Sequence, residues 1–345
     1  MQMTEFLRKA TVIPGVTGNE RRIAEYVRDC FAPLCDEVSI DCMNNVIAHK
    51  KGSGPRVAVF AHIDEIGMMV SAIEEDGCLR MAPVGGVDPR ILPGMRVRVY
   101  GTQPLMGVVG AKAPHLMDAK EREVNYTFDN LYIDLGMDAE KVRTLVQVGD
   151  TVCLEHHYTE LLNHRISVKT CDDRACVAMM LKACEALGEM RHEADLWFVA
   201  STQEEIGSHG ASAACFGIDP DLCVAFDVCH AVTPGAPEKM TFDLSALVAT
   251  MGPFINPFMR AKLTEVAKQQ NIRLQPSVRA RQTFTDADFV SIVRGGIPTV
   301  LFELPLRYMH THVEVADTRV LEDGARLLTH YLRAIDSTWE ESLWI

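Results

Sequence analysis

Three short apolar runs in this chain break off abruptly into charged residues, and that pattern restricts the fold more than any other feature. Arg56–Ala61 runs into His62-Ile-Asp64-Glu65-Ile-Gly67, Leu196–Ala200 leads to Gln203-Glu204-Glu205-Ile-Gly207, and Leu222–Phe226 runs into Asp227-Val-Cys-His230. Runs so rich in β-branched and aromatic residues fit strands buried on both faces. Helical stretches lie between them. Thr17-Gly-Asn-Glu20 has capping-box spacing, and Ile23, Val27 and Phe31 follow at four-residue steps before Pro33. Asp172-Asp173-Arg174 precedes a helix with Val177, Met180 or Leu181, and Cys184 on one face. Asn256-Pro257 opens a helix to about Asn271, and Asp286–Val293 forms another, stopped at Gly295-Gly296. Thr299–Phe302 reads as a strand, Leu306–Val315 as a loop and Asp317–Ala334 as a closing helix. The alternation predicts an α/β fold with a mostly parallel mixed sheet, covered by helices on both faces.

From about Met69 to Arg165 the texture changes to short alternating strands, among them Arg96–Tyr100, Leu105–Val109 and Thr151–Leu154, with frequent Gly and Pro turns. This predicts a small β-barrel-like domain, residues 69–166, inserted into an α/β unit made of residues 1–68 and 167–345. Residues 114–130, of mixed charge and without a clear period, read as a loop. A chain of 345 residues exceeds what one core usually serves, in keeping with two parts.

A formal charge of −13 without a Lys/Arg cluster argues against a nucleic-acid partner. No apolar stretch approaches the roughly 20 residues that span a bilayer, so no membrane partner is expected. The eleven cysteines are odd in number and include no Cys-x-x-Cys pair, so they read as reduced, packed thiols. Met1–Arg8 lacks the basic start and apolar core of a secretory signal, and a cytoplasmic location is expected.

Two adjacent glutamates, Glu204 and Glu205, repel each other and resist desolvation. Alone they read as an exposed acidic turn. They keep company, however, with His62 and Asp227, each at the carboxyl end of a predicted strand, with His310 beyond another, and with Asp172 at a helix start. In open α/β sheets such positions converge on one crevice. Oxygen and nitrogen donors of this kind suit zinc, cobalt or manganese, and their number exceeds one tetrahedral ion. Two divalent ions sharing a carboxylate, roughly 3.5–4 Å apart, fit the count. Their four positive charges balance three ligand carboxylates and a hydroxide, leaving one glutamate as general base.

In order and spacing, His62–Gly67, Asp172-Asp-Arg174, Gln203–Gly207, Asp227-Val228 and Arg307-Tyr-Met-His310 resemble the tetrahedral-aminopeptidase (TET) family of dinuclear metallo-aminopeptidases. Members are labelled glutamyl or leucyl aminopeptidase and sometimes endoglucanase. The resemblance implies two divalent ions per subunit, with Asp172 as the bridge, His62 and Asp227 completing one site, and Glu205 and His310 the other. Glu204 would be the base, and Asp64, two residues from His62 on the same strand face, would hold its imidazole. It also implies that the inserted β domain mediates dimerisation and that dimers build a hollow dodecamer. The chain departs from the family at Thr311-His312, where Ser-Pro is common. His312 there becomes a competing donor on the face of His310. Cys171 and Cys229-His230 are further departures, the cysteines reading as packed apolar residues. The expected function is metal-dependent aminopeptidase activity on short peptides, set against a two-carboxylate glucan hydrolase and a non-catalytic scaffold.

Overall fold

A computed structural model describes residues 2–343 of the chain; Met1, part of the stretch read for a secretory signal, lies outside them. The first helix, α1 (Met3–Ala10), was not anticipated, yet it buries Met3, Phe6, Leu7 and Ala10, the i, i+3, i+4, i+7 stripe of an amphipathic helix. The second, α2 (Arg21–Phe31), buries Ile23, Val27 and Phe31 as the spacing requires, but it starts after Glu20 rather than after Thr17, and the capping box does not form. Thr17 Oγ1 donates instead to Asp64 Oδ2 at 2.8 Å. In a capping box that oxygen would accept from the Glu20 N–H; here the hydroxyl is turned to donate to a buried carboxylate, a charge-assisted bond, so a tertiary contact overrides the motif.

Next come β1 (Glu37–Ile40), β2 (Val46–Lys50) and β3 (Arg56–His62). The chain then leaves for β4 (Gly67–Ile73), β5 (Leu79–Val84), β6 (Arg96–Tyr100), β7 (Pro104–Ala111), β8 (Leu131–Asp134), the helix α3 (Ala139–Leu145) and β9 (Thr151–Leu154). These six strands close an antiparallel barrel in the order β4-β5-β8-β7-β6-β9. The barrel has its own core, including Met68, Leu79, Val97, Val99, Ile133 and Val152. Residues 114–130 contain three single turns of 3-10 helix. Two short strands follow, β10 (Thr159–Leu161) and β11 (Arg165–Val168), and pair with each other.

The remaining α-helices and strands are α4 (Cys171–Leu187), β12 (Asp195–Ser201), α5 (His209–Ile218), β13 (Leu222–His230), β14 (Leu247–Met251), α6 (Pro257–Gln269), β15 (Leu274–Val278), α7 (Asp286–Val290), β16 (Thr299–Leu306), β17 (Glu314–Asp317), α8 (Thr318–Arg333) and the single turn α9 (Trp339–Ser342). β17 pairs with β11 and completes a three-stranded sheet in the order β10-β11-β17. The main sheet runs β1-β2-β12-β3-β13-β16-β14-β15. Its β12/β3, β3/β13, β13/β16 and β14/β15 pairs are parallel, giving the expected mixed sheet. Both faces are covered. Val57, Val59 and Ala61 of β3 join a core shared with α1, α4 and α8, while Ala58 and Phe60 face α5 on the other side. That is why the strands read as continuous apolar runs.

Three boundaries differ from the sequence reading. The 286–293 helix stops at Val290, after which Ile292 and Val293 make i→i+3 bonds into a turn, and Gly296 leaves at φ +92°. The strand expected at Thr299–Phe302 continues to Leu306, because its pairing with β13 runs through His230↔Leu306. The loop that follows therefore ends at Glu314, in β17. Among the described residues no helix is long and apolar enough to cross a membrane.

Candidate metal centre

β12 ends at Ser201, beside His62 in register on β3. Gln203 then takes a left-handed conformation, φ +57°, and Glu204–Ile206 forms one turn of 3-10 helix. The two glutamates thus escape the strict alternation of a strand. Asp64 organises that turn: Glu204 N–H donates to its Oδ1 at 3.2 Å and Glu205 N–H to its Oδ2 at 3.3 Å. The same Oδ1 stands 3.4 Å from His62 Nδ1. One buried carboxylate aligns the imidazole and both glutamate backbones.

Asp172 lies between the two histidines. Its Oδ1 is 3.1 Å from His62 Nε2 and its Oδ2 is 3.3 Å from His310 Nε2. His310 Nε2 is also 3.3 Å from Glu205 Oε2, and Glu204 Oε2 is 3.9 Å from His62 Nε2. Donor atoms of His62, Asp172 and Glu205 all lie within 4.8 Å of one another, as do those of His62, Asp173 and Asp227. Asp173 was not among the sequence-predicted donors. Its Oδ2 accepts from the His62 backbone N–H at 3.2 Å, and its buried Oδ1 has no hydrogen-bond partner among the described residues.

The electrostatics match the crowding. Burial pushes the Glu204, Asp173 and Asp227 carboxyls well above the ordinary carboxylate range, and burial with the Asp172 charge pushes Glu205 up to about 8. Burial works against His310, yet Asp172 and Glu205 outweigh it and raise the ring to about 10. Asp172 is held below its ordinary value despite burial, because both imidazoles face it. So many buried carboxyls without a lysine or arginine among them are what divalent cations neutralise, and the donor set fits such ions.

Residues with no local sequence signal support the cluster. Glu314, on β17, accepts the Asp172 N–H at 3.1 Å on one oxygen and the His310 N–H at 3.0 Å on the other. Asp286 accepts from Ser201 Oγ at 2.6 Å. Behind His62, Glu65 pairs with Lys169 and, at 3.3 Å, with Arg174. Arg174, fully buried, also donates to the carbonyls of Ala10, Ile13 and Ile63. His312 turns aside, packing edge-on against His156 with ring centroids 5.8 Å apart. Cys171 and Cys229 are buried, and His230 is exposed.

The chain belongs to the M42 glutamyl aminopeptidase family, whose profile it matches over residues 44–327. It is 40% identical over 343 residues to the lysyl aminopeptidase of Pyrococcus furiosus, covering 97% of this chain and 99% of that one. Among solved structures, the TET aminopeptidase of a marine-sediment thaumarchaeon superposes with a TM-score of 0.94 at 26% identity, covering 99% of this chain and 98% of that one. The Pyrococcus horikoshii TET1 peptidase, which assembles into a tetrahedron or a large octahedral shell, superposes at 0.86 with 27% identity over 97% and 100% of the two chains.

Proposed function

We propose that the chain is an aminopeptidase that removes N-terminal residues from short peptides with a dinuclear metal centre. The observation that carries this is Asp172, whose two oxygens face two different imidazoles, the disposition a bridging carboxylate requires. His62 and Asp227 would complete one site, Glu205 and His310 the other. The ions, zinc foremost with cobalt or manganese as alternatives, would supply Lewis acidity and make water acidic near neutral pH. Glu204 would take the proton from the attacking water and hand it to the leaving amine. Asp64 holds Glu204 in place through its backbone N–H. Residues 1–68 and 167–345 would form the catalytic unit. Residues 69–166 would carry self-association into a dimer and then a tetrahedral dodecamer, which the exposed Met106 and Val108 on β7 support.

A chelated preparation, assayed on aminoacyl p-nitroanilides with zinc, cobalt and manganese added back singly, tests the reading. Activity is expected to vanish on chelation and return with two equivalents of metal per subunit. Chelator-resistant cleavage of a glucan, with no release of the chromophore, would overturn it. Native mass spectrometry of the same sample tests the assembly, and a monomer at assay concentration removes that part.

Ion binding should also release protons. His310 is protonated at pH 7, being raised to about 10, and Glu205, at about 8, is mostly so. Both must lose the proton to coordinate. Affinity should therefore rise with pH up to about pH 10, by up to tenfold per unit for each proton displaced. Zinc calorimetry in buffers of different ionisation enthalpy reads this directly. Binding heats independent of the buffer would contradict it.

A further inference from the structure

The cleft over the centre, about 480 Å³, continues past the carboxylate cluster to a second charged pair that the chemistry above does not use. Glu303 lies opposite Asp227 in the β13/β16 register, so both side chains leave the sheet on the same face, roughly one strand spacing of 4.8 Å apart. Its side chain is 1% exposed, receives the Thr250 hydroxyl on Oε2, and faces Arg279 at 3.6 Å on Oε1. That gap exceeds a hydrogen bond, and among the described residues the buried Arg279 Nε has no partner. Arg279 itself is a quarter exposed. The result is a carboxylate at the cleft's inner end whose second oxygen lacks a close donor, beneath an arginine with room to shift.

A pocket beside the reacting centre receives the side chain of the residue being removed, so its charge decides which residue that is. Carboxylates lining the cleft are Asp172, Glu204, Glu205, Asp227 and Glu303; apart from His310, which would be neutral as a ligand, the charged base facing them is Arg279. Burial raises the Glu303 carboxyl against the opposing pull of the Thr250 hydroxyl and Arg279. With the ligand carboxylates balanced by metal, the ionised forms of Glu204 and Glu303 against Arg279 would leave one net negative charge. A lysine or arginine side chain brings this to zero, whereas a glutamate doubles it. Phe289 and Met309 on the walls suit the aliphatic stem of a long basic residue. We infer that Glu303 selects a basic side chain on the substrate's first residue, with Arg279 holding the carboxylate until that side chain arrives. This rests on the aminopeptidase reading.

The test compares kcat/KM on lysyl, arginyl, leucyl and glutamyl p-nitroanilides for the metal-loaded enzyme and for Glu303→Gln, which keeps the shape and an acceptor for Thr250. Wild type is expected to favour lysyl over glutamyl by at least about 100-fold. Glu303→Gln should lower the lysyl-to-leucyl ratio by about 100-fold, since it leaves a buried ammonium without its counter-charge. Glu303→Asp should recover part of that ratio, a response that general loosening of the cleft does not give. A wild type that prefers glutamyl, or a ratio in Glu303→Gln within threefold of wild type, overturns the assignment while leaving the aminopeptidase intact. Failure on all four substrates with metal bound would instead remove the aminopeptidase reading and this inference with it.

Discussion

Glu204→Gln is expected to keep its metal and lose about 10²- to 10⁴-fold in kcat, the usual contribution of a positioned general base. The neighbouring substitution, Glu205→Gln, should behave in the opposite way, losing metal first. The distinction rests on the turn that carries them. Both backbone N–H groups are fixed on Asp64, and the side chains then diverge, Glu205 Oε2 to 3.3 Å from His310 Nε2 and Glu204 Oε2 to 3.9 Å from His62 Nε2. Glutamine preserves size and leaves the Asp64 contacts alone, so a fall in turnover at constant metal content isolates the proton transfer. Elemental analysis alongside steady-state kinetics decides it. A Glu204→Gln enzyme with full activity would take the base away from Glu204, and one stripped of metal would make Glu204 a ligand.

Arg174→Leu should destabilise the fold by about 3–5 kcal/mol, the range seen when one partner of a buried ion pair is removed. The guanidinium serves three carbonyls from two separate segments and one carboxylate, and leucine fills part of its volume while leaving those acceptors dry. In a chain of this size that corresponds to a fall of about 4–7 °C in Tm for metal-free protein at fixed concentration. Arg174→Lys should recover only part, because an ammonium cannot span acceptors set around a planar fork. A Tm within about 1 °C of wild type would show that water or Lys169 replaces the lost donors, and the network would not be the anchor described.

How much of this was legible follows from where each signal sits. The strand ends carrying His62 and Asp227 announced themselves because strands buried on both faces must be apolar until they reach the crevice. The glutamate pair was legible as chemistry but not as geometry: the 3-10 turn that frees both side chains depends on Gln203 adopting a left-handed backbone, which nothing in Ser-Thr-Gln-Glu-Glu demands. Glu314, Asp286 and Glu303 are buried carboxylates whose partners come from distant segments, so no spacing marks them, whereas Asp173 stood in view beside Asp172 but read only as part of a helix start. The Thr17 capping box failed for the same reason in reverse, since its hydroxyl found an acceptor 47 residues away. Short α1 has no side-chain cap and declares itself only by burial.

The Glu65–Lys169 pair, 104 residues apart in sequence, has one more consequence. Glu65 stands where the chain departs for the barrel and Lys169 where it returns, so the two strands of the neck are latched beneath the barrel by the protein's own charges. A displacement at either end of the barrel must first part this buried ion pair. The latch therefore fixes the backbone three residues from His62 on one side and three residues from Asp172 on the other, so that barrel and cluster can each move without dragging on the other.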